Sequence, residues 1–103
     1  MFRYQILIEY VGTSFIGWQI QKKGKTIQGV IQKNISKLIK EKITINGSGR
    51  TDTGVHAIEQ SAHFECTNRI QDLKKFLNSI NYFLNKHEIA ILKIKKQNLN
   101  FHA

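Results

Sequence analysis

The chain has 103 residues, of which 41% are hydrophobic, and its formal net charge is +9 because 16 Lys and Arg outnumber seven Asp and Glu. This composition disfavours disorder, and no apolar run approaches the roughly 20 residues that a membrane-spanning helix needs. The amino terminus shows no secretory signal pattern. We therefore expect one soluble, cytoplasmic domain whose charge favours a polyanionic partner such as nucleic acid.

The first part of the chain predicts a strand, a loop and a helix. Apolar and polar residues alternate over residues 2–10, which is typical of a strand with one face on a core. A loop rich in glycine and lysine follows. Thr26 is a predicted N-cap, and apolar residues at helical spacing then predict a helix that ends near Glu41. The apolar stripe of this helix is Ile27, Val30, Ile31, Ile35, Leu38 and Ile39.

The rest of the chain predicts two strands, a second helix and a last strand. Ile43 and Ile45 indicate a short strand, and alternation from Ile58 to Cys66 indicates a longer one. Asn68 is a predicted cap for the second helix, to which Gln71 returns a hydrogen bond. This helix fades near Asn85, and its apolar stripe is Ile70, Leu73, Phe76, Leu77, Ile80 and Leu84. The last strand contains Ile89, Ile91, Leu92 and Ile94, with Lys93, Lys95 and Lys96 at its far end.

The predicted order of elements is therefore βαββαβ. This order is that of the ferredoxin-like unit, an α+β fold in which two helices cover one face of a four-stranded antiparallel sheet. The other face of the sheet is left for RNA or for another domain. A fold of this kind does not by itself define an activity.

The segment 47–57 is the candidate catalytic loop. It contains three glycines within eight positions, which allow close backbone approach to a ligand, and Asp52 is its only acid. Arg50 lies two positions away from Asp52 and could form a structural ion pair with it, the commoner meaning of such a pair. The surrounding glycines, which a structural pair does not require, favour a functional site instead.

Other readings of this loop fit less well. A P-loop would need Lys-Ser or Lys-Thr where Val55 and His56 stand, and a dinucleotide fingerprint would need glycine at Asp52. A calcium loop would need more acids. His56, His63 and Cys66 match no zinc spacing, so we expect no metal site, and we expect Cys66 to be a small buried hydrophobe.

Five short segments follow one another in an order that resembles the tRNA pseudouridine synthases of the TruA family. The candidate loop, residues 47–57, is similar to the active-site motif of that family. Residues 9–19 look like the signature that follows the first strand of the family, and residues 26–29 look like the opening of its first helix. Residues 89–92 and 101–103 are similar to the segment that closes its first half. Val11, Thr53 and Asn85 depart from the usual pattern.

The resemblance implies an enzyme that isomerises uridine to pseudouridine in the anticodon stem-loop region of tRNA, without metal or organic cofactor. It implies that Asp52 is the nucleophile and that Arg50 positions it or assists base flipping. The residues expected to shape the loop are Gly49, Thr51, Gly54 and His56, and those expected to contact phosphates are Lys22, Lys23 and Lys25.

The resemblance also implies a homodimer that grips tRNA. The resemblance covers the whole of this chain but less than half of the length of a family member. We therefore expect residues 1–103 to be the amino-terminal, ferredoxin-like half of a catalytic domain whose second half is absent from this chain.

Two alternatives stay open at this point. The first is a noncatalytic RNA-binding domain that uses the open face of the sheet, although the third strand lacks the aromatic platform of RRM domains. The second is a truncated remnant that folds without function.

Overall fold

The computed structural model describes residues 1–10, 26–47 and 57–101, and for residues 57–59 it describes the backbone alone. The described strands are β1 (Phe2–Tyr10), β2 (Asn46–Gly47), β3 (Ala57–Cys66) and β4 (Ile89–Gln97). The helices are α1 (Ile27–Ile39) and α2 (Leu73–Leu84), and a 3-10 turn over Asn85–His87 follows α2. The sheet order is β2-β3-β1-β4 with antiparallel pairing throughout. The predicted α+β architecture is therefore confirmed.

The core lies between one face of the sheet and the two helices. Alternate residues of β1 point into it, and Ile6 and Ile8 have no exposed surface. The helical residues that meet them are Ile27, Ile31 and Ile35 of α1 and Phe76, Ile80 and Leu84 of α2. Burying each such side chain contributes roughly 1.5–3 kcal/mol. Both helices therefore cover the same face, and the opposite face, called the open face below, carries Arg3, Gln5 and Leu7 of β1.

Helix α1 begins and ends close to the predicted positions. The Thr26 hydroxyl accepts a hydrogen bond from the Gly29 amide at 3.2 Å, as expected of an N-cap. At the other end, Lys40 has φ 56° and donates its backbone N–H to the Ser36 carbonyl. This left-handed conformation stops the helix just before Glu41.

The second strand was predicted too early in the chain. Ile43 and Ile45 are buried, but β2 comprises Asn46 and Gly47. The Ile43 amide donates to Ser36 Oγ at 3.2 Å, and the Ile45 amide donates to Gln32 Oε1 at 3.0 Å. Side chains of α1 thus take backbone donors that a strand would have used.

The predicted cap of the second helix was also wrong. Asp72 Oδ1 accepts from the Lys75 amide at 3.0 Å, and α2 begins at Leu73. Asn68 and Gln71 precede the helix and do not open it. The Ile70 amide donates to the Tyr4 hydroxyl at 2.9 Å, so a contact with β1 holds this stretch outside the helix.

The central strand β1 has an irregularity on each side. Its pairing with β4 shifts between Leu7 and Ile8, which leaves Leu92 outside the regular ladder and 37% exposed. Its pairing with β3 shifts between Ile8 and Tyr10. Such bulges increase the local twist and redirect the side chains beside them. Both lie in the half of β1 that leads to segment 11–25.

The helix cap can be tested by a matched pair of substitutions. Asp72→Ala removes the acceptor for the Lys75 amide, and we expect it to lower the free energy of unfolding by about 1 kcal/mol. Asn68→Ala leaves that hydrogen bond in place and should change stability by less than about 0.5 kcal/mol. Urea unfolding followed by circular dichroism measures both. A larger loss in the Asn68 variant than in the Asp72 variant would contradict the assignment.

Candidate active site

Every residue predicted to act in the site lies outside the described residues. Lys22, Lys23 and Lys25 fall in segment 11–25, and Gly49, Arg50, Thr51, Asp52, Gly54 and His56 fall in segment 48–56. Their roles therefore stay predictions. The structure does describe the scaffold to which both segments are joined, at Tyr10 and Thr26 for the first and at Gly47 and Ala57 for the second.

The two segments join the sheet side by side. Tyr10, the last residue of β1, pairs with Ala57, the first residue of β3. Paired residues of antiparallel strands have Cα atoms about 4.5–5.5 Å apart. The chain therefore leaves β1 into segment 11–25 at the place where it returns from segment 48–56.

A side chain of α1 links the other two ends of these segments. Gln28, in the first turn of α1, donates from Nε2 to the Ile45 carbonyl at 2.6 Å. Ile45 lies two residues before Gly47. Three polar residues of α1 lie on one face of the helix because they are spaced four residues apart: Gln28, Gln32 and Ser36. Each of them makes a hydrogen bond to the backbone of Ile43 or Ile45, just before β2. The start of α1 and the approach to segment 48–56 thus form one connected scaffold.

A buried polar contact lies where β1 and β3 meet the two segments. The Tyr10 hydroxyl donates to Gln60 Oε1 at 3.0 Å, and the two residues are 2% and 7% exposed. Tyr10 also belongs to the cluster of buried core residues. A buried hydroxyl or amide is tolerated in such surroundings only when it is hydrogen-bonded.

The open face of the sheet carries a row of polar side chains. Gln97 of β4 donates from Nε2 to Gln5 Oε1 at 2.9 Å, and Gln5 in turn donates from Nε2 to Ser61 Oγ at 3.0 Å. The row therefore crosses three strands. Lys93 and Lys95 pair with Leu7 and Gln5, and both lysines are exposed. This surface can offer hydrogen bonds and positive charge to an anionic ligand.

The far end of the open face is held by Arg3. Its Nε donates to Glu65 Oε1 at 3.1 Å, its Nη2 also contacts that oxygen, and its Nη1 donates to the Phe101 carbonyl. The Phe101 ring lies edge-on to His63 with centroids 6.3 Å apart. His63 was predicted on the polar face of its strand and is on that face, but it is only 8% exposed.

Cys66 is the cysteine of the chain, and its thiol is buried. Burial raises the pKa of the Cys66 thiol, which keeps it neutral, and its Sγ–H donates to the Asn68 carbonyl at 3.1 Å. The expectation of a small buried hydrophobe is confirmed. Across the described ranges, no three His, Cys, Asp or Glu side chains are grouped so as to hold a metal ion. Neither helix in those ranges is long and apolar enough to cross a membrane.

Sequence reasoning missed three residues of this scaffold. Tyr10 was assigned to the strand pattern alone, Gln60 was one letter of the third strand, and Gln28 was noted only within a motif. For Gln28 a signal existed, because polar residues at positions 28, 32 and 36 form a stripe beside the apolar one. The Tyr10–Gln60 contact depends on strand register, for which the sequence holds no local signal.

Comparison with known proteins agrees with the family resemblance that the sequence motifs carry. A family model described as tRNA pseudouridine synthase matches residues 6–103. The tRNA pseudouridine synthase A of Pelagibacter ubique strain HTCC1062 is 64% identical over 103 residues, which are 100% of this chain and 42% of that protein. The proteins of the same name from Ehrlichia ruminantium strain Gardel and Neorickettsia sennetsu are 45% and 41% identical, each over 98% of this chain and 41% and 42% of their own lengths.

The family model and these relatives agree on one class of protein, the pseudouridine synthases. The chain belongs to the tRNA pseudouridine synthase family, which confirms the resemblance found in the sequence. It spans about two fifths of the length of the curated relatives it matches and corresponds to their amino-terminal part.

The Arg3–Glu65 contact predicts a dependence of stability on pH. The hydrogen bond from Arg3 holds the pKa of Glu65 below its ordinary value of 4.5, against the opposing effect of desolvation. Because this pKa is lowered on folding, the contact stabilises the protein above about pH 4.5 and this stabilisation is lost as the pH falls through the lowered value. Glu65→Gln should therefore lose less stability than the wild type between about pH 5 and pH 3.

Urea unfolding at stepped pH measures this difference. The pKa of Glu41 is also lowered, mainly by a hydrogen bond from the Thr67 backbone, so Glu41→Gln should remove a separate part of the same pH dependence. Identical pH profiles for Glu65→Gln and the wild type would show that the Arg3 contact is absent in solution.

Proposed function

We propose that residues 1–103 are the amino-terminal half of the catalytic domain of a tRNA pseudouridine synthase, which isomerises uridine in the anticodon stem-loop region of tRNA. The observation that carries this proposal is the family match over residues 6–103, which includes the whole of segment 48–56. The scaffold supports it, since Tyr10 pairs with Ala57 and brings the ends of both motif-bearing segments together.

The proposed reaction is an isomerisation with a balanced exchange of bonds. The bond from ribose C1′ to uracil N1 breaks, the base rotates, and a bond from C1′ to C5 forms. A proton leaves C5 and N1 gains one, so no oxidant, reductant or cofactor is consumed. Asp52 is the nucleophile in this scheme, through attack either on uracil C6 or on ribose C1′.

Asp52 suits this role because an aspartate is ionised at neutral pH. Its reference pKa is about 3.9, and a guanidinium within about 4–6 Å lowers such a value further. Arg50 would supply that charge and offset the cost of desolvating the carboxylate when a base enters the site. The target uridine is stacked in RNA and must be extruded at a cost of a few kcal/mol, a step that Arg50 could assist.

The other predicted residues of the loop serve its shape. Gly49 and Gly54 would let the backbone approach the base, while Thr51 and His56 would order the loop through hydrogen bonds. The described scaffold would hold both ends of this loop through β3 and through the Gln28 contact to Ile45. Catalysis needs such support because a displacement of about 1 Å can cost about 100-fold in rate.

The partners follow from charge and from the family. We propose tRNA as the substrate, with Lys22, Lys23 and Lys25 on its phosphates, and a homodimer in the cytoplasm as the working form. The net charge of +9 and the exposed Lys93 and Lys95 of the open face support binding of a polyanion. The dimer rests on family resemblance.

The alternative is an RNA-binding domain without catalysis that uses the open face. The exposed lysines and the polar row from Gln97 to Ser61 favour RNA contact. On the described part of that face, however, β1 presents Arg3, Gln5 and Leu7 in place of the aromatic residues on which RRM domains stack bases. The catalytic proposal therefore has more support.

The role of Asp52 can be tested by tritium release from tRNA labelled at uracil C5. In the full-length gene product, Asp52→Ala should lower release at least about 1000-fold, because it removes the nucleophile. The matched control is Asp72→Ala, which changes the only other aspartate of the chain and should leave turnover unchanged. Equal release from the wild type and the Asp52 variant would refute the assignment.

The role of the lysines in segment 11–25 can be tested by salt-dependent binding. Replacing Lys22, Lys23 and Lys25 by alanine should flatten the plot of log affinity for tRNA against log salt, by roughly 0.7–0.9 for each phosphate that is no longer neutralised. A matched triple variant at Lys33, Lys37 and Lys42, exposed on or just after α1, removes the same charge elsewhere. Equal slopes in the two triple variants would place the tRNA contacts outside segment 11–25.

A further inference from the structure

Two buried tyrosines on the same face of β1 differ in the hydrogen-bond partners of their hydroxyl groups. Tyr4 and Tyr10 are 1% and 2% exposed, and each makes a hydrogen bond of ordinary length. The Tyr4 hydroxyl accepts from the Ile70 amide, at the end of β1 far from segments 11–25 and 48–56. The Tyr10 hydroxyl donates to Gln60, at the end where those segments join the sheet.

The Tyr10–Gln60 hydrogen bond spans the irregular part of the β1–β3 ladder. Ile8 pairs with Gln60, and the next recorded pair is Tyr10 with Ala57. Glu9 of β1 therefore stands against two residues of β3, Ile58 and Glu59, which is the arrangement of a bulge. At such a bulge the pairing of β3 with β1 could shift by one residue. The side chains at the start of β3 would then point to the opposite face of the sheet.

A hydrogen bond across the bulge opposes that slip. Gln60 Oε1 meets the Tyr10 hydroxyl only in the observed register, and a slipped register would leave buried polar atoms without this partner. Losing a hydrogen bond between two buried polar groups costs free energy, so the contact favours the observed register over its neighbours. The position of Ala57, and with it the attachment of segment 48–56, depends on that register.

We propose that Tyr10 and Gln60 form a positioning pair for the catalytic aspartate. Asp52 lies five residues before Ala57 and five after Gly47. An error in the register of β3 is therefore carried to the loop through a short covalent connection of at most roughly 18 Å on either side. Neither residue touches the substrate in this proposal, which rests on the proposed function.

The test compares Tyr10→Phe with Tyr4→Phe in the full-length gene product. Both variants remove one buried hydroxyl from the same face of the same strand, so both should lower the melting temperature by a few degrees. Only Tyr10→Phe should lower kcat for pseudouridine formation, by about 10- to 100-fold, with KM for tRNA changed less than about threefold. A purely structural role would lower the melting temperature and leave kcat unchanged at a temperature where the protein is folded.

A second variant and a double variant complete the design. Gln60→Met removes the acceptor and should reproduce the loss in kcat even if Tyr10→Phe folds poorly. The double variant Tyr10→Phe with Gln60→Met should be no slower than the worse single variant, because the two residues act through one contact.

The outcomes separate the inference from the proposed function. A wild-type protein without pseudouridine formation would refute the proposed function. An active wild type in which Tyr10→Phe and Gln60→Met turn over as fast as Tyr4→Phe would overturn the positioning pair alone. Additive losses in the double variant would likewise overturn it.

Discussion

The structure depends on the pairing of β1 with neighbours on both of its sides. β1 is paired with β3 on one side and with β4 on the other, while its helix-facing side chains fill the core. The backbone N–H and C=O groups of a central strand find hydrogen-bond partners on both sides. A strand at the edge of a sheet lacks these partners on one side. The two helices pack on the face of the sheet that the buried side chains of β1 form, and the open face carries mainly polar side chains.

The same strand also brings the two motif-bearing segments together. Segment 11–25 begins where β1 ends, and segment 48–56 ends where β3 begins, and these positions are paired. The Gln28 contact to Ile45 joins the other two ends. The described residues on either side of segment 48–56 are therefore tied to β1 through Ala57 and to α1 through Ile45. The bulge beside Tyr10 is the one irregular feature between β1 and β3 in the described ladder.

Local signals in the sequence predicted the elements whose pattern lies within the element itself. Thr26 and the apolar stripe of α1 describe a helix with its own cap, and alternation describes β1 and β3. The errors came from side chains outside the mispredicted segments: Ser36 and Gln32 bind the amides of Ile43 and Ile45, and the Tyr4 hydroxyl binds the amide of Ile70. The site was predicted from its motif, whereas the Tyr10–Gln60 contact follows from register and needed the structure. The roles of Asp52 and its neighbours stay predictions.

The position of β1 at the centre of the sheet has a consequence for synthesis on the ribosome. β1 is made before both of its pairing partners, which begin at Ala57 and Ile89. At about 5–20 residues per second, roughly 4–16 s separate the emergence of β1 from that of β4. During this interval a hydrophobic strand has no complete sheet to join. We therefore expect the apolar face of β1 to be covered by the emerging α1 or by a chaperone until β4 has been made.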